Sequence, residues 1–176
     1  CDTVTQNRFD RLLNGLGTPE FRGARHALYQ GDCRELLTRI PAGSIDLTFT
    51  SPPYNIGKEY ETPQPIEAFI DWCADWIGQI HHVTAANGAL MLNVGYVTLA
   101  ERAKSIPIPY LLWPRVPFFL QQEIVWNYGA GVAARKVLSP RNEKLLWYVK
   151  DAENYCFNLD DIRDPDVAYP NQKKTG

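Results

Sequence analysis

Between Ile66 and Val83 the apolar residues Ile66, Phe69, Ile70, Cys73, Trp76, Ile77, Ile80 and Val83 recur at the helical period. That spacing predicts an amphipathic helix with one stripe turned to a core. Ile45 to Thr50 is instead a short apolar, β-branched run that stops at two prolines. It suits a buried strand, because proline cannot donate to a sheet ladder. Asn87-Gly88 marks a turn, and Ala89 to Val94 reads as a second buried strand. Upstream, Phe9, Leu12, Leu13 and Leu16 permit a short helix; Ala27-Leu28-Tyr29 reads as a short strand ending in Gly31-Asp32, and Arg34 to Ile40 as a helical turn or two. Leu99 to Ser105 predicts a further helix, ended by the prolines at 107, 109, 114 and 117. Phe119 to Tyr128 and Lys144 to Val149 read as two more strands, joined by a loop too long for a tight hairpin. Strands alternating with helices and then a strand pair predict an α/β sheet, mostly parallel with an antiparallel edge.

Composition changes this picture little. A chain of 176 residues with 45% hydrophobic and 22% charged residues is long enough for one domain with a sizeable core. No apolar run approaches the ~18 residues needed to span a membrane. Four cysteines (Cys1, Cys33, Cys73 and Cys156) without a CxxC pair argue against a disulfide framework or a metal site and for a reducing, cytoplasmic setting. The first residue is Cys1 rather than Met, which fits a trimmed or partial product. A net charge of −2 argues against a generic nucleic-acid coat, but the charge is segregated. Gly131 to Lys150 carries five basic residues against Glu143 alone, and Asp151 to Asp166 six acids against Arg163. The plain reading is two solvated faces; the sharper one lays the basic segment, with Arg135 and Lys136 foremost, along a phosphate backbone.

The chemistry concentrates in Ser51-Pro52-Pro53-Tyr54. In an open α/β sheet, ligands gather beyond the carboxyl ends of the strands. Gly31-Asp32-Cys33 and Ser51-Pro52-Pro53-Tyr54 are the two features expected there. The exocyclic amino group of a base is planar and a poor nucleophile, because its lone pair is shared with the ring. Acceptors that hold its two N–H groups pull it toward a tetrahedral shape. Ser51 Oγ and the Pro52 carbonyl are such acceptors, Pro52 and Pro53 fix the backbone, and Tyr54 offers a stacking face. The plainer alternative for the four residues is a rigid turn that ends a strand. Histidines 26, 81 and 82 lack any nucleophile elbow to serve, and His81-His82 are expected to cap carbonyls at the end of the long helix.

Tyr29-Gln30-Gly31-Asp32-Cys33, then Ile45-Asp46-Leu47 running into Thr50-Ser51-Pro52-Pro53-Tyr54-Asn55-Ile56-Gly57, resembles the opening of beta-class DNA amino-methyltransferases. The likeness continues through Trp72 and Trp76, Gly88 to Gly95, Glu123 to Asn127, and Arg141-Asn142-Glu143 with Leu145 to Tyr148. It implies a Rossmann-like methyltransferase sheet, incomplete here. Residues 1–26 would be an N-terminal extension, 27–158 half of the catalytic core, and 159–176 the start of a target-recognition region or a disordered tail. S-adenosylmethionine is the implied cofactor, with Asp32 and Cys33 near its adenosyl part and Ser51 near its methyl end. Double-stranded DNA is the implied partner, met by Lys58 and Tyr60, with the target base flipped out of the duplex. Serine at the first loop position favours N4 of cytosine over N6 of adenine, in a restriction–modification enzyme of a prokaryotic cytoplasm. The family's second half carries a Gly-rich loop for the methionine end of the cofactor. The lone Gly129-Ala130-Gly131 is not read as that loop, so a further chain segment or a homodimeric partner is the expected source. Without it, the rival reading is an inert DNA-binding or assembly module.

Overall fold

A computed structural model describes residues 2–129, 135, 136, 138 and 141–163. Most of the Gly129-Ala130-Gly131 loop and of the stretch 159–176 lies outside those residues. Helix α1 (Asp2–Leu16) leads to a two-stranded ribbon of β1 (Phe21–Arg22) and β2 (Ala27–Leu28), then to the short α2 (Cys33–Leu37). The main sheet is built from β3 (Ile45–Thr50), which is followed by α3 (Ile66–Val83), and from β4 (Thr84–Val94). Between β4 and the last two strands, β5 (Tyr96–Leu99), β6 (Ala103–Pro107) and the short α4 (Ile108–Leu112) intervene. The closing pair is β7 (Phe119–Asn127) and β8 (Asn142–Val149). The order across the main sheet is β3-β4-β8-β7. β3 runs parallel to β4, while β4–β8 and β8–β7 are antiparallel. The fold is α/β with a mixed sheet, and among the described residues its antiparallel part is larger than an edge.

Helix α3 forms over the span its periodicity predicts. Six of its eight apolar positions are buried, and Ile66 and Ile70 pack at the border of the same core. Its stripe rests on one face of the sheet, where Leu90, Leu92, Leu146 and Tyr148 are buried. At its carboxyl end the expected cap is corrected. His81 instead sets its ring edge-on to Phe118, centroids 4.8 Å apart, and the carbonyl oxygens of His81 and Thr84 accept from Lys150 Nζ at 2.7 and 2.6 Å. A full positive charge suits the negative end of the helix dipole better than His81, whose pKa is lowered by burial, Lys150 and His82. Lys150→Met is expected to lower unfolding stability by about 2–3 kcal/mol, since hydrogen bonds to charged groups contribute about 1.5–3 kcal/mol. Urea denaturation checks this; a loss below about 0.5 kcal/mol would show the contacts to be ornamental.

Four other expectations change. Leu99 to Ser105 is not helical but the end of β5, a turn over 100–102 and the start of β6, where Thr98 Oγ1 donates to the Lys104 carbonyl at 2.9 Å. Pro107 and Pro109 start α4 rather than ending a helix, because proline is pre-shaped for a first turn. Among the described residues β2 pairs with β1 alone, so Gly31-Asp32 does not follow a strand of the main sheet there. Among the described residues β3 lies at one edge of the sheet, and Leu47 and Phe49 are 57% and 65% exposed rather than buried. They share with Met91 and Trp147 the sheet face opposite α3.

Candidate functional site

The loop after β3 is closed on itself before it meets anything else. Pro52 and Pro53 have no N–H and end the ladder. Asn55 takes a left-handed φ of 61°, a conformation asparagine tolerates better than most residues. Its amide then pairs with the backbone of Gln64, donating to the carbonyl at 2.8 Å and accepting the N–H at 2.7 Å. The Glu61 carboxylate accepts the N–H groups of Asn55, Ile56 and Lys58 at 2.9, 2.8 and 3.2 Å. Burial alone would raise the pKa of Glu61, but these amides together hold it below the usual range. The loop therefore arrives ordered, which spares entropy when a ligand binds.

At its near end, Tyr54 reaches across the ends of three strands. Its hydroxyl donates to Glu143 Oε2 on β8 at 3.1 Å, accepts from Asn93 Nδ2 on β4 at 2.9 Å, and lies 3.1 Å from Ser51 Oγ. Asn93 Nδ2 also donates to Glu143 Oε2 at 2.8 Å and approaches Ser51 Oγ at 3.4 Å. The carboxylate sets the Asn93 amide: a flip would turn its carbonyl onto Glu143. Asn93 is 5% exposed, and its Oδ1 has no partner among the described residues. Burial pushes the Tyr54 phenol up to about 12; the Ser51 hydrogen bond pulls the other way, and the negative Glu143 adds to the rise. A cavity of about 420 Å³ opens over this network, walled by Pro52, Pro53, Ile56 and Tyr60. Gly95 lets the Tyr54 ring lie close: a Cβ there would stand 2.9 Å from Cε2 and 3.0 Å from Cδ2.

Of the residues expected at a site, Ser51, Pro52, Pro53, Tyr54 and Tyr60 line this one cavity. Lys58 is exposed beyond it, tied to the loop by its backbone. Asp32 caps α2, with both carboxylate oxygens engaged by Arg34 at 2.6–3.2 Å, and Arg34 holds its pKa down to about 2. Asp32 borders a different depression, with Thr38 and Asp75; Cys33 is exposed beside it. Among the described residues, no hydrogen bond or ion pair joins either to Ser51. Arg135 and Lys136 are exposed, next to stretches outside the described residues. Asn93, Gly95 and Glu143 were not singled out as site residues from the sequence. A polar residue inside the apolar run Leu90 to Val94, and a lone acid at the start of a strand, were the available signals. No group of His, Cys, Asp or Glu able to hold a metal ion occurs among the described residues.

A DNA methylase family model, covering enzymes of the N6 and N4 amino type, matches residues 45–176. The chain belongs to this family. Methylase relatives include the type II methyltransferase M.ScaI of Streptomyces caespitosus, 56% identical over 169 residues, which are 96% of this chain and 56% of that protein. The DNA adenine methyltransferase YhdJ of Escherichia coli (strain K12) is 34% identical over 86% of this chain and 50% of its own length. This methylase chain thus spans about half the length of the relatives it matches. Among solved structures, the cytosine-N4-specific PvuII DNA methyltransferase superposes with a TM-score of 0.63 at 19% identity, over 77% of this chain and 52% of that one. A Thermus thermophilus protein in complex with S-adenosyl-L-methionine gives a TM-score of 0.55 at 23% identity, over 74% and 55%. At those identities the likeness establishes the fold.

Proposed function

We propose that the protein carrying this chain is a site-specific DNA methyltransferase of the restriction–modification type, acting on N4 of a cytosine turned out of the duplex. The observation that carries this reading is the hydroxyl network of Ser51, Tyr54, Asn93 and Glu143 at the floor of an open cavity. Ser51 Oγ and the Pro52 carbonyl take the two amino N–H groups, and Tyr54 and Tyr60 give the base aromatic walls. Turning the base out costs a few kcal/mol, offset by stacking and by backbone contacts. Lys58, Arg135 and Lys136 are the proposed phosphate contacts; in the described residues no helix is long and apolar enough to cross a membrane.

S-adenosylmethionine is the proposed donor and supplies an electrophilic methyl on a sulfonium. The described residues fit it only in part. The Asp32 carboxylate is occupied by Arg34, and these residues form no glycine-rich cradle for the methionine end. That end is assigned to a further segment of the protein or to a second copy. The kinship with an adenine methyltransferase supports N6 of adenine as the second reading. Unmethylated duplex DNA incubated with the protein and S-adenosylmethionine, then digested to nucleosides, should yield N4-methylcytosine by mass spectrometry. N6-methyladenine would overturn the cytosine assignment, and no methylated nucleoside would leave the inert-module reading standing.

A further inference from the structure

We infer that Glu143 is a positioning residue: its carboxylate sets the direction of the hydroxyl chain Tyr54–Ser51, so that Ser51 faces the target amino group as an acceptor. This rests on the proposed amino-methyltransferase reading. An ionised carboxylate only accepts hydrogen bonds. The Tyr54 hydroxyl, 3.1 Å from Glu143 Oε2, must therefore spend its one proton there. Its oxygen is left with two lone pairs. One takes the N–H of Asn93 Nδ2 at 2.9 Å, and the other takes the proton of Ser51 Oγ at 3.1 Å. Ser51 then has no proton to point into the cavity, only lone pairs, one of them approached at 3.4 Å by Asn93 Nδ2.

A base amino group offers two N–H donors, so a serine whose proton pointed at it would repel it. Neutral serine alone does not choose between the two orientations. Glu143, eighty-nine residues from Tyr54 along the chain, makes the choice. The negative charge of the site thus sits on β8 and reaches the loop through two hydroxyls. A glutamine at 143 has an N–H that can donate to Tyr54, which lets the whole chain reverse.

The test is a charge relocation in the protein carrying this chain. Glu143→Gln should cut kcat by about 10–100-fold, the worth of one charged hydrogen bond, with KM for DNA changed less than about threefold. Ser51→Asp should also be impaired, because two carboxylates then meet on the Tyr54 hydroxyl. Ser51→Asp combined with Glu143→Gln should recover at least about tenfold in kcat over Glu143→Gln alone, since the acceptor charge is back at the loop. A double variant no better than the worse single, or a Glu143→Gln variant equal to wild type, would overturn the inference. A second readout needs no activity. With 3-fluorotyrosine at position 54, whose phenol ionises at lower pH than tyrosine's, fluorine NMR should show ionisation at still lower pH in Glu143→Gln. An unmoved titration would overturn the inference even if the protein methylates nothing, and a shifted one with no methylation would leave the Glu143–Tyr54 coupling standing while the methyltransferase reading, and the role of Ser51 with it, fell.

Discussion

Ser51→Ala is expected to lower kcat for methyl transfer by about 10²–10³-fold, the usual cost of losing one preorganised hydrogen-bond partner at a reacting group. The loss should fall on kcat rather than on DNA affinity. On the proposed reading Ser51 meets only the amino group, while stacking and phosphate contacts hold the rest of the nucleotide. The fold should be indifferent: Ser51 is exposed, among the described residues its side chain bonds only to Tyr54 and Asn93, and unfolding stability should stay within about 0.5 kcal/mol of wild type. Single-turnover rates at saturating DNA, set beside urea denaturation, separate the two quantities. A rate within twofold of wild type would remove Ser51 from the mechanism. A drop that tracked lost DNA binding would make it a docking contact instead.

The parts of the molecule legible in the sequence are those decided by short-range periodicity or by covalent restriction. The α3 stripe repeats every three or four residues, and a single core, formed by one sheet face together with α4, takes nearly all of it. The β3 strand ends where two prolines leave the ladder without donors. The site is legible only as far as it is local. Ser51 to Tyr54 could be read as a unit, but Asn93 and Glu143 reach it through the sheet. They are brought together because Asn93 pairs with Leu145 across β4–β8, and the next face-sharing position on β8 is Glu143. Nothing in either neighbourhood signals that register. Asp32 is a different case: among the described residues the strand before it, β2, pairs within a two-stranded ribbon, and its carboxylate is engaged by Arg34. The β5–β6 hairpin was missed because a four-residue strand offers too few positions to tell a period of two from one of 3.6.

Gly95→Ala should be nearly as damaging as the loss of Ser51, although it only adds one methyl group and touches no ligand. The new Cβ would stand 2.9 Å from Tyr54 Cε2, closer than real side chains come, so either the ring or the backbone must move. The backbone of Gly95 is pinned by the Ile108 N–H, which donates to its carbonyl at 3.1 Å. The ring is pinned at both ends. Pro52 and Pro53 restrict its chain, and Asn93, Glu143 and Ser51 hold its hydroxyl. Whichever gives way, the hydroxyl leaves the position from which it orients Ser51. Displacements of about 1 Å at a reacting group cost about 10²-fold, and kcat/KM is expected to fall by that factor. Overpacking should also cost about 1–3 kcal/mol of stability, which denaturation would register separately. The decisive comparison is Gly95→Ala with Tyr54→Phe. If displacement of the hydroxyl is the cause, the two should lose activity to a similar degree, and combining them should add little to either loss. Full activity in Gly95→Ala would mean that the Tyr54 ring has freedom this packing denies it, and the pre-ordered hydroxyl chain would have to be abandoned.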